Sequence, residues 1–320
     1  MPTVLPDARV SPRFAGISTF CRYPRLQDVA PEHSPVDWAI YGVPFDGGVT
    51  YRGGTKFGPR AIRDASQYVK RYHMVHDVDV CSVLSLADAG DAPVSPFDIK
   101  GTLDLVTQFA AGLGAPTTRL FAVGGDHSIA YANVRAAWAK AGSPKGGLPL
   151  VHFDSHLDTV DTLWGEQYSH ASPFARLIEE GFVDAGSMIS IGIKGPLNSK
   201  ADLDFARARG VTLITHDRIA TDAAGALAGF VARIGGRPAY VTFDIDVVDP
   251  AFAPGTGTPC PGGLSSEQAL GLLRQLKGIR LAGADVVEVL PDRDLSGITA
   301  FLAAHVMFEI LALDASARAC

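Results

Sequence analysis

The stretch VHFDSHLD, Val151–Asp158, opens on apolar residues and then sets Asp154, His156 and Asp158 at every second position. In an extended segment, residues i, i+2 and i+4 share one face. Three groups that are costly to bury therefore point the same way. The stretch reads as a buried strand whose carboxyl end meets water or a positive charge.

Six further short apolar runs share this design. They are VDWAIYGVPF (36–45), TRLFAVGG (118–125), SMISIGI (187–193), VTLITHD (211–217), AYVTFDID (239–246) and LAGADVVEVL (281–290). Short β-branched or aliphatic runs that end in Gly, Asp or Pro describe strands of a parallel sheet buried on both faces. Helical patterns lie between them, among them KGTLDLVTQFAAGL, SIAYANVRAAWAKAG, SPFARLIEEGF, DLDFARARG, AAGALAGFVARIG and SSEQALGLLRQLKG. Alternating β and α elements predict βαβ units. No linker or internal repeat divides the chain, so the expectation is one α/β domain over residues 36–320, preceded by an irregular Pro- and Arg-rich arm, 1–35.

Bulk composition agrees. The 320 residues are 47% hydrophobic and 19% charged, which supplies a large core, and the formal net charge is -6. The absence of a basic run argues against nucleic acid as a partner. The N-terminal MPTVLPDARVSPRF has no basic stretch followed by an apolar one, so it does not read as a signal peptide. No apolar run approaches the roughly 18 residues of a membrane span. Cys21, Cys81, Cys260 and Cys320 are scattered without metal-knuckle spacing, which predicts a reduced, cytoplasmic protein. Cys320, as the last residue, does not fit a prenylation box.

In open α/β sheets, ligands gather at the carboxyl ends of the strands. The polar clusters fall there: Gly124-Gly125-Asp126-His127-Ser128, Asp154–Asp158, Asp244-Ile245-Asp246, and Glu288. His127, Asp154, His156, Asp158, Asp244 and Asp246 make two imidazoles and four carboxylates, too many anions for one divalent ion. Two ions fit if carboxylates bridge. Nitrogen and oxygen ligands without thiolate suit manganese, with nickel, cobalt or iron as alternatives. His152 sits inside its apolar run and reads as a satisfied core histidine or as one standing behind a ligand. His33, His73, His76, His216 and His305 show no partner pattern and read as structural or surface residues.

These residues resemble the ureohydrolases, the arginase–agmatinase family. The resemblance is carried by GGDHS (124–128), DSHLD (154–158), TFDIDVVDPAFAPGTGTP (242–259), GADVVEV (283–289), and GVPFDGG with GPRAIRDAS in the stretch from Ile40. It implies a three-layer arginase-type domain with a mainly parallel sheet of about eight strands. It implies that the six residues hold two divalent ions, Mn²⁺ first and Ni²⁺ as the alternative. Asp154 and Asp244 would bridge, His127 and Asp158 would complete one ion's shell, and His156 and Asp246 the other's. Glu288 matches the carboxylate that pairs with a guanidinium, here expected in bidentate fashion, and His170 the proton-shuttling histidine. Asp158, His170 and Glu288 are the expected catalytic residues.

The segment TVDTLWGEQYSHAS (159–172) and GTGTP with GGL (262–264) resemble the agmatinase and guanidinobutyrase branch rather than arginases. The implied reaction is hydrolysis of a small non-arginine guanidino compound to urea and an amine. Departures from the family pattern at Ser155, Leu157, Phe57, Ala171 and 288–294 suit, as alternatives, an alkylated guanidine or a biguanide such as metformin, handled with a paralogous subunit. A non-catalytic partner subunit is the other alternative. Glu288, His170, Leu157, Phe57 and Trp164 are the expected substrate contacts. Thr50, Tyr51, Lys56, Thr159, Asp161, Asp292, Arg293 and Asp294 are further candidates for the tail. The resemblance also implies a homo-oligomer, trimer or hexamer, with the arm as an interface element.

Overall fold

Eight strands form one parallel sheet: β1 (Trp38–Gly42), β2 (Leu86–Asp91), β3 (Arg119–Val123), β4 (Leu148–Phe153), β5 (Val183–Ile193), β6 (Thr212–Thr215), β7 (Ala239–Asp244) and β8 (Leu281–Val287). Their spatial order is β2-β1-β3-β8-β7-β4-β5-β6. Every neighbouring pair is parallel. The computed structural model describes residues 2–319; Cys320, and with it the reading of that residue, lies outside the described residues.

Helices cover both faces: α1 (Gly58–Ala65), α2 (Ile99–Ala111), α3 (Ala130–Lys140), α4 (Pro173–Glu179), α5 (Asp204–Ala208), α6 (Ala224–Ile234), α7 (Ser266–Arg274) and α8 (Ile298–Ala319), besides a single turn at Val80–Val83. Strand alternation decides which core each side chain joins. Trp38, Ile40, Phe121, Val123, Val241 and Phe243 pack with α1, α6, α7 and α8. Ala39, Tyr41, Leu120, Ala122 and Tyr240 pack with α2, α3, α4 and α5. Each fully buried large apolar side chain contributes about 1.5–3 kcal/mol, and this two-sided burial makes the layers cohere. The single α/β domain with three layers is as the sequence predicts.

Two elements were not legible. Strand β2, LADAGD, ends in half-exposed and exposed residues, and its three buried residues include Asp88, so it shows no apolar run. Helix α8 is buried on nearly every side and has no polar face to give it a helical period. By length and composition alone it could cross a membrane, but 83% of its apolar stretch is buried inside the domain. It is the core helix of one face.

The arm is irregular, with 3₁₀ turns at Phe20–Arg22, Leu26–Asp28 and Pro31–His33. It is nevertheless docked on its own domain. Leu86 donates its N–H to Thr3 Oγ1 at 2.9 Å, and Phe20 donates to Asp88 Oδ2 at 2.9 Å. Phe20, Cys21 and Tyr23 are buried in the core.

His73 and His76, expected as structural or surface residues, lie on and beside a small hairpin, Tyr72–His73 with Val78–Asp79, and are both bound to Glu309 of α8. Arg274 donates twice to the same carboxylate, at 3.0 and 2.9 Å. The His–His–Glu group has the composition of a metal site. The guanidinium already supplies its positive charge, and the His76 N–H points at His73 Nδ1, which leaves the His73 proton on Nε2 toward Glu309. The group is a hydrogen-bonded cross-link.

Candidate active site

The four strands that carry the polar clusters, β3, β8, β7 and β4, are neighbours at the middle of the sheet. Register aligns their carboxyl ends: Val286 pairs with Val123, Val287 with Asp244, and Phe153 with Phe243. Residues more than a hundred positions apart thereby meet at one edge. After β3 the chain turns through Gly124 and Gly125, both with positive φ. A Cβ on Gly124 would stand 2.5 Å from Pro59, and one on Gly125 2.5 Å from the Val43 carbonyl oxygen. Only glycine fits this turn, which delivers His127 to the strand edge.

His127 is wholly buried. Its Nδ1 lies 3.1 Å from Asp154 Oδ2, 2.9 Å from Asp158 Oδ2 and 3.3 Å from Asp244 Oδ2. The other oxygen of Asp154 faces His156 Nδ1 at 3.4 Å, and His156 Nδ1 lies 3.0 Å from Asp246 Oδ2. All six residues expected as metal ligands are therefore brought together, with Asp154 between two groups. They do not converge as one extended face. Asp154 Oδ1 accepts the His156 N–H at 2.6 Å and Asp244 Oδ1 the Asp246 N–H at 2.8 Å. These local turns bend the chain just past each strand end. Asp158 then adopts a positive φ, and its carbonyl accepts the Phe174 N–H at 3.1 Å. The every-second-residue spacing reflects turn chemistry, not strand geometry.

The electrostatics are those of crowded anions. Burial, then the charges of Asp246 and Asp154, push Asp244 well above the ordinary carboxylate range. Burial also works against Asp154, but His152 and His127 hold it well below that range. His152 itself, buried, donates from Nε2 to Asp154 Oδ2 at 2.8 Å and meets Ser190 with its other nitrogen at 3.1 Å. It is the satisfied core histidine the sequence predicts.

Glu288 enters from the end of β8 with a φ of 65°. A left-handed non-glycine residue costs about 1–3 kcal/mol and collects at functional positions. Its Oε1 accepts the His127 N–H at 2.9 Å and meets His170 Nδ1 at 2.9 Å. Its Oε2 is buried and has no partner. The expected bidentate grip thus finds one oxygen already committed and one free. The Thr50 N–H points at His170 Nε2 at 3.1 Å, so in the neutral ring the proton sits on Nδ1, shared with Glu288. Burial opposes charge on His170, but Glu288 raises it to about 9. Asp126, given no role of its own in the sequence reading, accepts the Gly48 N–H at 2.7 Å and the Ser128 N–H at 2.8 Å, and ties the GVPFDGG loop to the turn after β3.

A cavity of about 190 Å³ opens over this cluster. Leu157, Asp158, Thr159, Val160, His170, Ala171 and Thr50 line it, with Pro196, Leu197, Asn198 and Asp202 from the loop after β5. That loop gave no signal in sequence because its polar residues follow no strand-end or ligand pattern. Three expected contacts are not in the lining: Glu288 lies beneath it, buried and joined to it through His170, and two others sit elsewhere. Phe57 is half-exposed over a different depression with Arg60, Asp64 and Pro291, and Trp164 is 79% exposed and outside the lining. Neighbouring polar groups likewise face elsewhere: Lys56 pairs with Asp46, Asp161 with Arg176, and Asp294 accepts the N–H groups of Thr299 and Ala300.

A parallel sheet that collects imidazole and carboxylate at its central carboxyl ends, beside an unpaired buried carboxylate oxygen, has the composition of a metal centre in an α/β fold. Residues 36–313 match the arginase family. The chain is 42% identical to guanidinopropionase of Pseudomonas aeruginosa over 98% of its length and 96% of that protein's. It is 36% identical to guanidinobutyrase of the same organism, over 94% and 93% of the two chains. Proclavaminate amidinohydrolase from Streptomyces clavuligerus superposes with a TM-score of 0.87 at 39% identity, covering 96% of this chain and all of that one. The chain belongs to the arginase family and is an amidinohydrolase, an enzyme that hydrolyses C–N bonds of linear amidines.

Proposed function

We propose that this amidinohydrolase uses two divalent ions, Mn²⁺ or alternatively Ni²⁺, to cleave a small guanidino compound without an α-amino acid head into urea and an amine. The single observation that carries this is His127 Nδ1: buried, without a hydrogen-bond partner, and within 3.3 Å of three carboxylate oxygens. The residues fit the ions. His127, Asp154, Asp158 and Asp244 face one position, and Asp154, His156 and Asp246 the other.

When bound, a divalent pair supplies charge stabilisation and lowers the pKa of a water from 15.7 towards about 7. The chain's own residues do the rest. Glu288 Oε2 holds the cationic guanidinium, since an unpaired buried carboxylate oxygen is costly without a donor. Asp158 takes a proton at its carboxylate and passes it to the leaving amine. His170 exchanges a proton at Nε2 with the cavity, where Thr50 Oγ1 lies 2.7 Å away. Leu157, Val160 and Leu197 exclude water from the tail. The lining holds no paired set of cation and anion for arginine's α-amino and α-carboxylate groups. Each buried polar group left unmatched costs about 1–3 kcal/mol.

The names of the relatives, guanidinopropionase and guanidinobutyrase, support a tail of that kind. We assign the enzyme to a homo-oligomer, trimer or hexamer, with the arm at the interface; Val10, Phe14 and Ile17, all more than 80% exposed on that arm, support the reading. The test is urea release over a panel of guanidino compounds with defined Mn²⁺ or Ni²⁺ loading. We expect at least a tenfold preference in kcat/KM for 4-guanidinobutyrate, 3-guanidinopropionate or agmatine over arginine. Arginine equal to the best of these overturns the substrate reading.

A further inference from the structure

Strand β7 carries an unusual row. Tyr240, Thr242 and Asp244 alternate along it and share a face, and all three are buried polar side chains. Across the ladder, Asp285 of β8 sits in register with Thr242. An aspartate in the middle of a strand covered on both faces is expensive unless every oxygen is used. Here both are: Tyr240 Oη donates to Asp285 Oδ2 at 2.8 Å and Thr242 Oγ1 donates to Oδ1 at 2.5 Å. Neither Asp285 nor Tyr240 borders the cavity.

The consequence reaches the site through one atom. A threonine hydroxyl has a single proton, and Thr242 spends it on Asp285. Its oxygen lies 2.9 Å from His127 Nε2 and so accepts the proton of that nitrogen. A neutral imidazole has one N–H, so His127 Nδ1 is left with its lone pair directed at Asp154, Asp158 and Asp244. A reversed chain, with Asp285 donating to Thr242 and Thr242 to Nε2, would put the proton on Nδ1 and block it as a ligand.

We propose that Asp285 is a positioning residue, which acts through Thr242 to fix the tautomer and ring orientation of His127 and to strengthen its Nδ1 as a metal donor. This rests on the reading of His127 as a ligand. Outer partners of metal-bound histidines contribute about 10–100-fold in metal affinity. Asp285 would be such a partner held one hydroxyl further away.

Metal affinity, measured without substrate, tests this. Mn²⁺ binding is followed by equilibrium dialysis with elemental analysis for the wild type, Thr242→Val, Thr242→Ser and Asp285→Asn. We expect Thr242→Val and Asp285→Asn to bind one of the two ions, the one that faces His127, about 10–100-fold less tightly, and Thr242→Ser, which keeps the hydroxyl, to bind as the wild type does. With both ions saturated, KM should stay within threefold of the wild type while kcat recovers. Asp285→Asn is isosteric and carries the test if Thr242→Val does not fold. Wild-type affinity in Asp285→Asn, or a loss in Thr242→Ser equal to that in Thr242→Val, overturns the relay. A wild-type protein that binds no metal instead overturns the reading of the site, so the two failures are distinct.

Discussion

His127 Nδ1 stands 2.9 Å from Asp158 Oδ2, and no hydrogen bond joins them. Two lone pairs this close inside a protein repel unless a cation or a proton lies between. A divalent ion does so while leaving the neighbouring carboxylates charged.

Removal of metal should therefore cost both rate and stability. Dialysis against a chelator is expected to abolish urea release and to lower Tm by several degrees, since a ligand at a hundredfold its Kd stabilises by about 2.7 kcal/mol. Restored Mn²⁺ should return both. His156→Ala should retain fewer than two ions per chain and lose at least about a hundredfold in rate. Full metal content by elemental analysis together with an unchanged rate in that variant would remove His156 from the centre.

Glu288→Gln separates substrate binding from metal binding. The amide oxygen can still accept the His127 N–H, so both ions should remain. The charge that faces the guanidinium is gone, and a hydrogen bond to a charged group is worth about 1.5–3 kcal/mol. We expect kcat/KM to fall about ten- to a hundredfold. A variant as active as the wild type would show that Oε2 does not meet the substrate.

The Glu309 cross-link predicts a pH signature remote from catalysis. Burial works against this carboxylate, but His73, His76 and Arg274 hold it well below its ordinary value of 4.5. A depressed carboxyl gives stability that is complete above the unfolded-state pKa and is lost as pH falls below it. Glu309→Gln should thus cost about 3 kcal/mol at pH 7, as expected when one partner of a buried pair is removed. The difference from wild type should shrink as pH is lowered from 5 to 3. Thermal unfolding of both proteins across that range is the measurement; a constant difference would mean that the charge contributes nothing.

Tail discrimination should follow the loop after β5. Asn198→Ala is expected to change the ratio of kcat/KM between 4-guanidinobutyrate and agmatine by at least threefold. Phe57→Ala and Trp164→Ala should leave that ratio within twofold of wild type, because neither side chain borders the cavity. Equal effects from Trp164→Ala would show that its loop moves in when substrate binds.

The legible part of this fold was the part with a period or a cost. Seven strands announced themselves as apolar runs, and the six candidate ligands as groups too expensive to leave at a strand end without a partner. Strand β2 had too few apolar residues to register, and α8 too few polar ones. Asp285 carried a signal that went unread, a carboxylate inside the doubly covered strand LAGADVV. The same is true of Tyr240 and Thr242, which alternate with apolar residues in a strand that has no wet face. His73 and His76 lie more than two hundred positions from Glu309, and no local pattern links them to it. Phe57 and Trp164 were placed by family position, yet a side chain's direction is set by the turn it sits on, and both turns point outward.

The placement of β8 bears on how the molecule is made. The strand lies between β3 and β7, yet it is the last of the eight to leave the ribosome. Without residues 281–287 the ladder divides into two blocks, β2-β1-β3 and β7-β4-β5-β6, which share no strand pairing with each other. His127 belongs to one block and the four aspartates to the other, so no nascent chain short of Glu288 holds a complete centre. The site is thus complete only once the strand that joins the blocks is in place, and helix α8 covers the joined face.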